Sequence, residues 1–307
     1  MSGTLARFRA DRWALAAACY LILLVLVAAA ATWLLPYDPE HQDLLQAYGG
    51  PSAQHWLGTD ELGRDELSRM LVATRISLLA VAEAAGIAVA VGVPIGLLAG
   101  FRGGVLDRVV MRLNDLVFAI PALVLVMLVI AVLGTGLGPS MAALGLVFST
   151  GFIRVARDAV TAVREETYLA AARVIGVPTA RLLRRHVLPN ALGPIMVQLA
   201  TQCGVVLTIE ASLSFIGLGA QAPDVSWGTL LAMAATGVEG ADTLLVVWPG
   251  LAITVTVLAL NLVGDGLLAA LKPGGRAPAV RRERVVVAQE EPEAGGPLLR
   301  VRGLTVD

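Results

Sequence analysis

Apolar residues run through this chain in six long blocks separated by polar segments, a spacing that predicts helices rather than strands. The blocks are Trp13–Leu35, Ile76–Leu98, Leu116–Leu133, Leu137–Ile153, Leu192–Ile216 and Leu245–Leu268. A hydrocarbon core of ~30 Å needs about 20 apolar residues in helical form, so each block is read as a membrane-crossing helix. The fourth is short before Arg154, and its helix is expected to run on past the membrane. The first is too long for the apolar core of a signal peptide and has no small-x-small cleavage site before Pro36 and Tyr37, so it reads as a retained helix. The expected class is an all-α membrane protein with six transmembrane helices.

Between the fourth and fifth blocks the pattern changes. Glu165–Pro189 reads EETYLAAARVIGVPTARLLRRHVLP, an amphipathic and charged helix–turn–helix that membrane crossing does not require. Val160–Ile175 has the spacing of one helix. Gly176 suits the position just past its last turn, and Pro178 suits the first position of the next helix, where a missing N–H costs nothing. Thr179–Val187 then carries Leu182, Leu183 and Val187 on one stripe, with Arg181, Arg184 and Arg185 on the other side. Pro189 and Asn190 close the second helix. The small run Ala170, Ala171, Ala172 lets a neighbouring surface come close. Such a patch reads as a docking surface for a soluble protein. A basic loop lying on anionic lipid is the competing reading, but it requires neither the Gly-Val-Pro turn nor a second stripe.

Composition sharpens this picture. The chain has 307 residues, 57% of them hydrophobic and 15% charged, with a mean hydropathy of +0.76. A soluble domain carries roughly 25% charged residues. The net charge of −1 argues against a nucleic-acid partner. Cys19 and Cys203 both lie in apolar runs and read as small core residues. The basic residues set an orientation: 20 of 23 fall in the N-terminus, the segment after the second block, the segment from Arg154 to Arg185 after the fourth block, and the C-terminal tail. The other side holds only Arg64, Arg69 and Arg75. By the positive-inside rule both termini are expected in the cytoplasm, with the docking patch on the same side.

Two outer loops and a few polar residues carry the rest of the signal. Trp56–Arg69, WLGTDELGRDELSR, alternates Asp and Gly and reads as a turn-rich segment leading into a helix. Ala222–Ala232, APDVSWGTLLA, reads as a solvated loop with one helix skimming the membrane surface through Trp227, Leu230 and Leu231. Glu210 lies well inside the fifth block, with Ser212 and Ser214 close by. A carboxylate at membrane depth is a functional hypothesis by default. Two roles are open for it: lining a translocation path or subunit interface, and tying helices together as a buried hydrogen-bonded group. Glu83 in the second block is a similar residue. Asn261 and Asp265 stand near the inner end of the sixth. No G-x-x-x-x-G-K-[ST] phosphate loop and no Ser-His-Asp, Cys-His or zinc spacing is present. The expectation is a non-enzyme with no catalytic residue, no metal site and no cofactor of its own.

Four strings resemble those of ABC-importer permeases of the dipeptide, oligopeptide and nickel class. The docking patch resembles the coupling loop pattern E-A-A-x-x-x-G with its hydrophobic-x-L-P ending, although Ala170 stands where the pattern has Glu. Leu57–Asp65 resembles the L-G-T-D-x-x-G-R-D stretch that precedes the permease core. Thr208–Gly219, TIEASLSFIGLG, and Asn261–Leu267, NLVGDGL, resemble strings at the corresponding places. The resemblance implies a type I importer permease fold with cytoplasmic coupling helices, in the bacterial inner membrane. It assigns ATPase coupling to Ala170, Ala171, Ala172, Gly176, Pro178, Arg184, Arg185 and Pro189, and the translocation path or subunit interface to Glu210, Ser212, Ser214 and Asn261. It implies a second permease as heterodimer partner, ABC ATPase subunits or domains that hold ATP and Mg, and an extracytoplasmic substrate-binding protein, which the outer loop Gly219–Trp248 would face. The alternative is a secondary transporter driven by an ion gradient through Glu210, which would need internal repeats. The expected divisions are 1–72 for the first helix and outer loop, 73–272 for the core, and 273–307 for a linker. In that last part Pro297–Asp307, PLLRVRGLTVD, is read either as the opening strand of an ATPase domain or as an unstructured tail.

Overall fold

The computed structural model describes residues 2–164, 188–236 and 244–271. Among them are nine α-helices, a 3₁₀ turn at Leu44–Gln46 and one isolated β-bridge between Thr59 and Asp65. Helix α1 covers Ser2–Ala10 and α2 covers Arg12–Leu34. Asp11 separates them and caps α2, its carboxylate accepting from the Trp13 and Ala14 amides at 3.0 and 3.2 Å. Helix α3, Glu66–Arg102, has 37 residues and is therefore about 55 Å long at 1.5 Å per residue. It starts ten residues before the apolar block does, and the division expected at 72/73 falls inside it. Helix α6 covers Leu137–Arg164 and does run past Ile153. Helices α7, Leu188–Phe215, α8, Trp227–Thr236, and α9, Leu244–Leu271, complete the order.

The third expected span is not one straight helix. It divides into α4, Gly104–Phe118, and α5, Ala122–Leu133, which meet at a bend of 92°. Pro121 is the cause: it lacks an N–H, clashes with the carbonyl four residues back, and disfavours helical geometry at Ile120. Among the described residues, five helices are long and apolar enough to cross a membrane, and six spans result if the bent pair makes one. With 12 residues, α5 covers only about 18 Å on its own.

The long helices show lipid their apolar sides, with Trp33 on α2 86% exposed. Inside, close packing substitutes for the missing hydrophobic drive. Helix α3 lies directly on α6 along Gly92, Gly96 and Gly100, one glycine per turn. A Cβ at Gly92 would overlap the Ser149 carbonyl oxygen, and one at Gly96 would overlap that of Ile153; at Gly100 it would stand 2.8 Å from the Arg157 oxygen. Gly145 answers from α6, where a Cβ would stand 2.8 Å from the Ala84 oxygen. Ala84, Ala88, Phe152 and Ala156 fill the seam between the glycines and are buried.

These overlaps are with backbone, which cannot swing aside as a side chain can. Overpacking costs ~1–3 kcal/mol even where neighbours adjust. Gly96→Leu should therefore reduce the amount of folded permease in membranes several-fold. Gly86→Leu on the same helix, where a Cβ meets nothing within 4 Å, should leave it near wild type. Quantitative immunoblots of membrane fractions check both, and equal levels for the two variants would contradict the packing described.

Candidate functional site

The segment before α3 is built around the D-x-x-G-R-D string. Asp60 Oδ1 accepts from the Arg64 amide at 3.0 Å, and Asp60 Oδ2 accepts from Arg64 Nε at 2.7 Å. Gly63 makes the reversal with φ of +72°, and a Cβ there would overlap Asp43, so both the conformation and the space call for glycine. Asp65 caps α3, accepting from the Ser68 amide at 2.8 Å and its hydroxyl at 2.7 Å, and its other oxygen lies 2.9 Å from His55 Nδ1. Thr59 donates its hydroxyl to the Gln46 carbonyl. Thr59, Asp60, Arg64 and Asp65 of this string thus each have a structural partner within the segment Pro36–Asp65, here called the collar.

The collar reaches the inner helices through Arg69. Its guanidinium is buried, lies 3.4 Å from Asp60 Oδ2 and donates to the Met233 sulfur of α8 at 3.2 Å. Helix α8 was expected to skim the membrane with Trp227 at the surface. It is packed into the protein instead, and Trp227 is fully buried. The Trp227 amide donates to Ser77 Oγ of α3 at 3.1 Å, and its indole Nε1 donates to Thr74 Oγ1 at 3.3 Å. Gly228 makes the fit possible, since a Cβ there would overlap the Ala211 oxygen of α7. The burial follows from the indole N–H finding a hydroxyl on α3, which removes its reason to seek the interface.

Glu210 sits in the same knot. It is fully buried, and Ser214 Oγ donates to its Oε1 at 2.8 Å while accepting from the Ala220 amide at 3.0 Å. The hydroxyls of Ser77 and Ser226 lie near enough to act on the carboxyl, although Oε2 makes no bond of standard geometry. Glu210 and Ser214, expected on a path or an interface, face the chain's own interior instead. Ser214 keeps one carboxyl oxygen bonded without water where the helices close over it. Ser212 takes the other side of α7: it is exposed and donates to the Thr208 carbonyl at 2.8 Å. Asn261 is exposed on α9 and donates to the Val257 carbonyl at 3.0 Å. Glu83, near the middle of α3, is exposed and forms no hydrogen bond or ion pair among the described residues.

Of the residues assigned to ATPase coupling, Pro189 stands in the first turn of α7. Ala170, Ala171, Ala172, Gly176, Pro178, Arg184 and Arg185 lie outside the described residues. Just before them, two ion pairs fasten α4 to α6. Arg157 clamps Asp107 with both Nε and Nη2, at 2.9 and 2.7 Å, and Arg154 reaches Asp115 at 2.8 Å while its guanidinium lies 4.7 Å over the Phe118 ring. Sequence reasoning used these arginines only as topology markers. The spacing of Asp107 and Asp115, eight residues apart and so on one helix face, was the signal for the clamp.

This arrangement of helices, with a collar on one side and an ion-pair clamp near the other, meets a family description over most of its core. Residues 92–276 match the model for the inner membrane component of binding-protein-dependent transport systems. The chain belongs to this family. Residues 2–51 also match the N-terminal transmembrane domain of oligopeptide transport permease C. The glutathione transport system permease protein GsiD of Escherichia coli is 42% identical over 268 residues, covering 87% of this chain and 88% of its own. The protein of the same name from Pectobacterium atrosepticum is 40% identical, covering 87% and 89%. The fold is similar to a chain of the inward-facing MetNI methionine ABC transporter, with a TM-score of 0.54, 17% identity, and coverage of 66% of this chain and 97% of that one. The protein is thus a multi-pass inner-membrane permease of an ABC importer, in a family that works with an ATPase and a substrate-binding protein.

The Trp227 knot can be weighed by substitution. Trp227→Ala empties a fully buried site and should cost about 3–5 kcal/mol. Trp227→Phe loses one hydrogen bond to Thr74 and should cost roughly 0.5–1.5 kcal/mol. Thermal unfolding of the purified permease should rank them in that order, well separated. Equal midpoints for the two variants and wild type would show that the indole is not held as described.

Proposed function

We propose that this permease carries short peptides, working as one half of a heterodimer with a second, different permease. The observation that carries the reading is the 40–42% identity over 87% of the chain to permeases named for glutathione transport, itself a peptide. The match of residues 2–51 to an oligopeptide permease domain supports the same substrate class. The chain divides on this reading into an N-terminal helix with its outer loop, a core that starts with α3 at Glu66 rather than at 73, and a C-terminal linker.

On this reading both termini are cytoplasmic and the Pro36–Asp65 collar faces the binding protein outside. The positive-inside distribution of arginines supports that orientation. ATP and Mg are held by partner ATPases, and this chain catalyses no reaction and binds no cofactor itself, in keeping with its lack of a phosphate-loop sequence. Ala170, Ala171, Ala172, Gly176, Pro178, Arg184, Arg185 and Pro189 form the docking surface for the ATPase. Closure of the ATPases draws these patches together and switches the pathway between outward- and inward-facing states by rigid-body motion. The α4–α6 clamp supports such a role, because it joins α6, which leads into the patch, to a second rigid element. Ser212 and Asn261, exposed on α7 and α9, belong to the path or the interface. So does Glu83, because a bare carboxylate against lipid would cost on the order of 2.5–3.5 kcal/mol. Glu210 holds α3, α7 and α8 together.

Gly176→Leu and Arg184→Glu test the docking assignment. Both variants should reach the membrane at wild-type levels, and the assembled complex should lose most of its substrate-stimulated ATP hydrolysis. Full stimulated activity in a complex that contains either variant would remove the assignment.

A further inference from the structure

Helix α4 uses its charges unequally. Asp107 and Asp115 are consumed by Arg157 and Arg154 of α6. That pairing fixes which way the helix faces. It leaves Arg108 and Arg112, one turn apart, exposed, with only a long contact of 3.4 Å from Arg108 Nε to the Gly104 carbonyl among the described residues. Val105, Val109 and Leu113 run beside the two arginines and form with them a shallow groove of about 400 Å³. A helix with a basic edge beside an apolar stripe, turned 92° from the apolar helix that follows it, has the form of one lying in the membrane interface.

Leu113 also borders a second groove, of about 470 Å³, in the elbow between α4 and α5. Its walls are mainly aliphatic, among them Ile95, Val129, Leu146 and Ile153. Ser149 and Thr150 line it too, but their hydroxyls donate to carbonyls of their own helix at 2.6 Å. Asn114 differs. Its side chain is only 3% exposed, and neither its nitrogen nor its oxygen has a partner. A buried amide left this way is costly, and it marks a place where a polar group of another molecule belongs.

We propose that the α4–α5 elbow binds an anionic glycerophospholipid. The phosphate sits between Arg108 and Arg112, the glycerol and ester oxygens meet the Asn114 amide after a turn of its side chain toward the groove, and one acyl chain lies along the aliphatic walls. Charge complementarity selects the anionic class, since no acidic side chain of α4 remains free to balance the two arginines. The site lies between α3, α4, α5 and α6, so a bound lipid holds the bend at Pro121 against the helix that leads into the docking patch.

The test uses the assembled transporter purified in detergent and offered phosphatidylglycerol or phosphatidylcholine, with bound lipid counted by mass spectrometry. Wild type should retain phosphatidylglycerol in preference to phosphatidylcholine. R108Q/R112Q should bind phosphatidylglycerol about 30-fold more weakly, as two arginines near an anionic surface imply, while R108K/R112K keeps most of it. N114L, which removes the unpaired amide, should weaken retention several-fold without lowering the unfolding temperature. Equal retention of the two lipids by wild type, or undiminished phosphatidylglycerol in R108Q/R112Q, would overturn the proposal. So would efficient cross-linking of L113C to a second permease subunit, because the groove would then be filled by protein.

Discussion

The approach of α3 to α6 governs the structure. Lipid chains are as apolar as leucine, so apolar burial gives two membrane helices little reason to associate. What holds them is contact area, and the glycine row from Gly92 to Gly100 brings backbone against backbone where any side chain would intervene. Other features follow from that seam. With α6 fixed on α3, Arg154 and Arg157 come within reach of Asp115 and Asp107, so α4 is held across one end of the pair. At the other end, α3 presents Thr74 and Ser77 as acceptors that draw Trp227, and with it α8, into the interior.

The second constraint is that polar groups within the membrane must find one another. Trp227 meets it by donating to Ser77 and Thr74, which ties α8 to α3, and Glu210 by accepting from Ser214 within α7. In the collar, between the apolar helices, Arg64 and Arg69 neutralise Asp60, and Asp65 serves as a helix cap. Arg69 connects the two, since its guanidinium touches both the collar carboxylate and Met233 of α8.

Much of the fold was legible in the sequence because membrane crossing leaves a one-dimensional signature. The blocks at Trp13–Leu35, Leu192–Ile216 and Leu245–Leu268 match α2, α7 and α9 to within a few residues. Asp65 as a helix start was legible too, because a cap depends on neighbours a few positions away. The bend at Pro121 was missed because the apolar run continues across it: hydropathy sums over residues and is blind to the direction of the axis. Trp227 was misplaced for a related reason. An indole beside a loop looks interfacial until Ser77 and Thr74, some 150 residues earlier, are known to face it. Glu210 was recognised as unusual, but which side of α7 it occupies depended on the same distant serine. The docking patch was the clearest functional signal in the sequence, and seven of its eight assigned residues lie outside the described residues. Its role therefore rests on pattern and family rather than on geometry.

The account holds that ATP hydrolysis by partner subunits drives transport and that Glu210 is an internal tie rather than a proton carrier. Uptake into membrane vesicles, with ATP supply and proton gradient controlled separately, bears on this most directly when wild type is compared with Glu210→Gln. The glutamine keeps the shape of the side chain and a hydrogen-bonding oxygen for Ser214 but cannot cycle a proton. Wild-type uptake should require ATP and persist when the gradient is collapsed, and Glu210→Gln should retain a substantial part of it. Uptake that follows the gradient without ATP, and that vanishes in Glu210→Gln, would contradict the account.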